Sequence, residues 1–107
     1  MSGIGKVQTK VEVKFSKRAE RQLDNILGYL EAQFGNRTAE KAVRIVQNFE
    51  QRVAHSPELY PVFDTLTQTR RAVLKKRMLA FYQLREDYIL ITAFMTTYQN
   101  YSPENVT

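Results

Sequence analysis

The sequence predicts an α+β domain: an N-terminal strand, an antiparallel helical hairpin packed on a mostly antiparallel sheet, and a C-terminal three-stranded meander that completes that sheet. Two apolar stripes at helical spacing fill the first half of the chain, and β-rich segments fill the second. A length of 107 residues leaves room for one core. Residues 1–10 read as a flexible leader, or as an appended expression sequence, and residues 11–107 as a single domain.

Val11-Glu12-Val13-Lys14-Phe15 alternates apolar and charged residues, the period of a strand with one buried face. Ser16 ends it and is placed to cap a helix, because its hydroxyl can accept a first-turn amide. Ala19 stands where a reciprocal capping box needs Glu or Gln, so the cap is one-sided. Ala19, Leu23, Ile26, Leu27, Leu30 and Phe34 then form one stripe, and Gly35 supplies a left-handed stop. Asn36 and Thr38 can both cap a second helix, whose stripe is Ala39, Ala42, Val43, Val46, Phe49 and Val53, ending before Pro57. So short a connection makes the helices antiparallel. Asp64 to Thr69 reads as loop. Strands follow at about 70–76, 78–85 and 88–97, with Glu86-Asp87 as a turn, leaving one sheet face open to a partner.

Composition excludes more chemistry than it suggests. With no cysteine there is no disulfide scaffold, thiolate metal site or cysteine nucleophile, and a single histidine, His55, makes no histidine metal cluster. No cofactor or metal is expected, nor is a membrane partner, because no apolar run reaches the length of a span. The expected compartment is the cytoplasm.

The charge is concentrated. The chain carries 16 Lys and Arg against 11 Asp and Glu, and the run Arg70-Arg71-Ala72-Val73-Leu74-Lys75-Lys76-Arg77 holds five cations and no acid. Without it the signs balance, so this run is the candidate docking surface for an anionic partner. Arg71, Lys75 and Arg77 share strand parity and should project from one face, with Arg85 extending the patch from the next strand. The plainer reading is a solvated strand edge blunted by lysines.

Several phrases resemble the RelE/ParE superfamily of bacterial type II toxins. They are Lys17-Arg18-Ala19-Glu20-Arg21-Gln22-Leu23-Asp24-Asn25-Ile26, Tyr29 to Gly35, and Ala39-Glu40-Lys41-Ala42. The turn phrase His55-Ser56-Pro57-Glu58-Leu59-Tyr60-Pro61 and the strands Phe81-Tyr82-Gln83-Leu84 and Tyr88-Ile89-Leu90-Ile91 complete the likeness. The resemblance covers residues 11 to about 103 and implies a RelE/ParE-like fold. It also implies a cognate acidic antitoxin as partner, and either ribosome-bound mRNA or DNA gyrase as target. Operator DNA would be reached only indirectly, through the antitoxin.

An mRNA interferase activity stays open, with two departures counting against it. Leu79 stands where nuclease members carry a phosphate-binding arginine, and Tyr98 stands where many relatives carry arginine or histidine. Metal-free RNA cleavage needs a base for the 2′-hydroxyl and an acid for the leaving oxygen, beside cations. No catalytic residue is assigned. Target- or antitoxin-binding candidates are Arg70, Arg71, Lys75, Lys76, Arg77, Arg85, Tyr98 and Tyr101; the two tyrosines could stack on bases, donate protons or cover the sheet edge. His55 reads as a helix-end residue and Tyr82 as core. The alternatives are a non-toxic, degenerate member that serves as an antitoxin-binding module, and a helix-turn-helix DNA binder at residues 18–55. The dispersed Lys41, Arg44 and Arg52, offset by acids, argue against the second.

Overall fold

The computed structural model describes residues 10–75, 77–97 and 102–107. Residues 1–9 of the segment expected as a leader at 1–10, together with Lys76, Tyr98 and Tyr101, lie outside the described residues. The elements in order are β1 (Glu12–Phe15), α1 (Lys17–Phe34), α2 (Asn36–His55), β2 (Val62–Asp64), β3 (Thr69–Val73), β4 (Met78–Leu84), β5 (Tyr88–Thr96) and α3 (Pro103–Val106). They build a five-stranded sheet in the order β1-β5-β4-β3-β2. β1 runs parallel to β5, and every other pairing is antiparallel.

Ser16 caps α1 as its side chain predicts: Oγ accepts the Ala19 N–H at 3.0 Å. The hydroxyl also donates to the Thr92 carbonyl, and Arg18 Nε reaches the same oxygen at 3.0 Å, so the start of α1 is pinned to the middle of β5. Gly35 alone joins the helices, with φ at +93°, a backbone conformation that side chains rarely adopt. α2 therefore begins at Asn36, one residue after α1 ends. Neither Asn36 nor Thr38 caps it; Thr38 Oγ1 instead donates back to Phe34 O at 3.5 Å.

The hairpin covers one sheet face. Ala42, Val46, Phe49 and Val53 of α2 are buried with Ala19 against Ala72, Met78, Ala80, Tyr82, Ile89, Ile91 and Phe94. Leu23, Ile26, Leu27 and Leu30 pack on that core from α1. Phe34, expected in the stripe, is instead 63% exposed at the hairpin tip and meets Tyr29 edge-on, their centroids 6.5 Å apart. Phe49 and Tyr82 lie at the centre, with ring centroids 5.8 Å apart and tilted at 67°.

Residues 65–68 form a turn within the segment expected to be loop, and a short strand that the sequence did not announce precedes it. β2 pairs with β3 through Val62 and Arg70, and the connecting turn is held by Asp64, which accepts the Leu66 N–H and the Thr67 hydroxyl. Nor is the second sheet face bare. Leu79, Phe81, Ala93 and Met95 form a smaller cluster there with Val106 of α3, and Phe63 packs against it. Thr92, at an irregularity in the β4–β5 register, donates to Phe81 O and Val106 O and so ties the C-terminal turn to the sheet.

Candidate functional site

The basic run divides as the chain leaves β3. Arg70 and Arg71 are consecutive strand residues and point to opposite faces. Arg70 Nη1 donates to Tyr60 O at 2.7 Å and Glu58 O at 3.3 Å, so its guanidinium fastens the loop after α2 to the sheet. Arg71 pairs across the ladder with Phe81, on the face away from the helices, and lies 5.6 Å from the Phe63 ring centroid. That is within range of a cation–π contact.

The expected strand at 70–76 ends at Val73. Lys75 and Arg77 stand in the turn to β4, where Met78 O accepts the Leu74 N–H and Arg77 takes φ of +60°. Strand parity therefore governs Arg71 but not these two. Both are exposed, beside Val73, which is 63% exposed. Arg85 follows β4 at its other end, about 25 Å from Arg77 at the usual strand rise. The described cations Arg70, Arg71, Lys75, Arg77 and Arg85 therefore do not form one patch.

Arg85 belongs to a hydrogen-bonded chain of polar groups. Its guanidinium donates to Gln83 Oε1 at 2.7 Å, Gln83 Nε2 donates to Thr69 Oγ1 at 2.9 Å, and Thr69 and Thr67 share a hydroxyl bond at 2.7 Å. Arg85 also borders a groove of about 440 Å³, between the Ser56–Leu59 loop and the β4–β5 hairpin, with Pro57, Leu59, Leu84 and Glu86 among its walls. Exposed Leu59 and Leu84 flanked by Arg85 and Glu86 give it apolar walls and a charged rim.

Of the residues considered for proton transfer, Tyr82 and His55 are engaged elsewhere, and Tyr98 and Tyr101 lie outside the described residues. Tyr82 is wholly buried and its hydroxyl donates to Pro57 O at 2.8 Å. Burial pushes its phenol above the usual tyrosine range, against the opposing pull of the Arg70 charge. His55, in the last turn of α2, places Nδ1 3.0 Å from Gln51 O, while the Ser56 N–H closes the helix end on Arg52 O. Leu79 is 2% exposed in the apolar cluster with Val106. Among the described residues no three His, Cys, Asp or Glu side chains converge as a metal site, and no helix is long and apolar enough to cross a membrane.

The family model for the ParE toxin of the type II toxin–antitoxin system parDE matches residues 13–101. The chain belongs to the ParE toxin family. A solved structure described as a chromosomal ParDE TA system from P. aeruginosa shares the ParE-family fold with a TM-score of 0.70. Its sequence identity is 16%, over 83% of this chain and 98% of that one. No curated protein matches the sequence significantly. This ParE-family chain keeps the helical hairpin and sheet that the resemblance implies, and its C-terminal turn occupies part of the face expected to be open.

Two site features escaped sequence reasoning. The turn conformation at Arg77 is a positive φ at a residue that carries no turn signal. The docking of Val106 on the sheet rests on a single apolar residue in a polar tail, too little for any periodicity to register.

Proposed function

We propose that this ParE-family chain is the toxin of a type II pair, that it acts on DNA gyrase rather than cutting ribosome-bound message, and that a cognate acidic antitoxin silences it. The observation that carries the choice of target is Leu79. Where a nuclease would hold a scissile phosphate, this side chain is sealed under Met95, Ala93 and Val106. A leucine supplies no charge to a phosphorane, and the nearest tyrosine of that strand, Tyr82, has its hydroxyl committed to Pro57 on the helix side of the sheet.

The antitoxin is proposed to dock at the β3–β4 turn, where exposed Lys75 and Arg77 stand beside exposed Val73 and near Arg71. A basic turn with an apolar anchor suits an acidic chain that folds on binding. Arg85, beside the groove at the other end of β4, is a second anchoring point for a partner long enough to span the sheet. Lys76, Tyr98 and Tyr101 remain candidates in the same proposal.

Induced expression, with and without the gene for the acidic partner, tests the reading in cells. Growth arrest with DNA damage signalling and intact messages, relieved by the partner, is the expected result. Arrest with codon-linked message cleavage would refute the gyrase assignment. Partner binding with no arrest would favour the degenerate binding module.

A further inference from the structure

Along the sequence, the basic residues of α2 look scattered among acids, but the helix gathers them. At about 100° per residue, Arg37, Lys41, Arg44 and Arg52 fall within a sector of about 80°, together with Asn48 and His55. Ala42, Val46, Phe49 and Val53 face the core about 130° away on the same wheel. All six residues of the stripe are exposed. The two acids of α2, Glu40 and Glu50, lie outside the sector. Among the described residues Arg37, Lys41 and Arg44 have no hydrogen-bond or ion-pair partner, and Arg52 spends only Nε, on the Tyr60 hydroxyl at 3.0 Å.

From Arg37 to Arg52 the stripe is about 22 Å long at the helical rise. It leads into a shallow groove of about 420 Å³ lined by Gln51, Arg52, His55, Ser56 and Leu59. We propose that the outer face of α2 is a docking surface for the phosphate backbone of duplex DNA. It goes beyond the assignment of a target and does not depend on it. It also differs from a helix-turn-helix, because the two helices here are packed antiparallel across a single glycine and the contact is to phosphates rather than bases.

The chemistry of the stripe selects the partner. A protein-binding helix face carries a buried apolar or aromatic anchor inside a polar rim. This sector has none: its members are Arg, Lys, Asn and His, the residue types that hold phosphate oxygens. Without an aromatic platform in the sector, single strands lose the stacking that normally holds them. A helix about 10–12 Å across can lie along the open major groove of B-form DNA, about 12 Å wide, with its cations on the phosphates of the groove rims, whereas the A-form groove of duplex RNA is too narrow to admit it. Duplex DNA is the form that remains.

Anisotropy of the full chain on a labelled, mixed-sequence DNA duplex, titrated between about 50 and 200 mM salt, tests this. The wild type should bind, with log K falling linearly against log salt. The triple variant Arg37→Gln/Lys41→Gln/Arg44→Gln should bind more weakly on every sequence, with a slope shallower by about 2.7, or about 0.9 per lost phosphate contact. Should the triple variant lose its fold by circular dichroism, Lys41→Gln alone should make the slope shallower by about 0.9. A control triple, Lys14→Gln/Lys17→Gln/Arg21→Gln, removes the same charge elsewhere and should leave the slope unchanged. Absence of binding at low salt, equal losses in both triples, or equal affinity for duplex RNA or a polyglutamate chain would each overturn the proposal.

Discussion

Phe49→Ala probes the joint on which the fold turns. The Phe49 ring is wholly buried, with its centroid 5.8 Å from those of both Tyr60 and Tyr82, so it links α2 to the following loop and to β4. Tyr82 in turn bonds Pro57 O, and Arg70 holds the carbonyls of Glu58 and Tyr60, so nothing nearby can collapse cheaply into the vacated space. Truncating such a ring costs about 3–5 kcal/mol. That is a large share of the roughly 5–15 kcal/mol that stabilises a domain. Urea unfolding followed by far-ultraviolet circular dichroism should show the unfolding free energy falling by that amount, as a lower midpoint with an unchanged slope. A double-mutant cycle with Tyr82→Leu should return a coupling of about 0.5–1.5 kcal/mol for the edge-on pair. A loss below about 1 kcal/mol, or zero coupling, would refute the placement of this aromatic group at the centre of the core.

Gly28 within α1 and Gly35 between the helices should respond oppositely. A Cβ at Gly28 meets nothing within 4 Å, so Gly28→Ala should raise the unfolding midpoint by the equivalent of about 1 kcal/mol, whereas Gly35→Ala, at φ +93°, should lower it. Burial raises the Tyr82 phenol above its unfolded value near 10, so its contribution is complete below about pH 10 and fades as pH rises toward the folded pKa. The stability advantage of wild type over Tyr82→Phe should accordingly shrink above about pH 10 in chemical unfolding curves, and a constant difference would contradict the assignment. Replacing Arg71, Lys75 and Arg77 by Gln should slow antitoxin association and flatten its salt dependence in surface plasmon resonance, while the unfolding midpoint moves by less than about 0.5 kcal/mol.

Strong local periodicity made the helices legible. The stripe from Ala19 to Leu30, the Ser16 cap and the Gly35 stop are properties of neighbouring residues, and each appears in the structure where the residue types place it. Phe34 departs because α1 ends at the hairpin tip, where the core no longer lies beneath its last turn. β2 was not legible because its three residues gain their partners from β3 across a turn, and that turn depends on Asp64 side-chain bonds and a positive φ at Gln68. Parity counting failed at Lys75 and Arg77 because a period of two holds only while the chain is extended, and the Leu74–Met78 hydrogen bond ends the strand first. The α2 stripe was hidden for a related reason. Charges counted in sequence order mix both signs, while counted by angle around the helix the cations share a side.

The most direct test of the gyrase assignment is a supercoiling and cleavage assay with purified gyrase, relaxed plasmid and this chain, run beside a translation reaction programmed with a defined message. The account predicts loss of supercoiling or accumulation of cleaved plasmid, reversed by the cognate antitoxin, with the message intact. Codon-linked cuts in the message, with gyrase turning over at its normal rate, would contradict it.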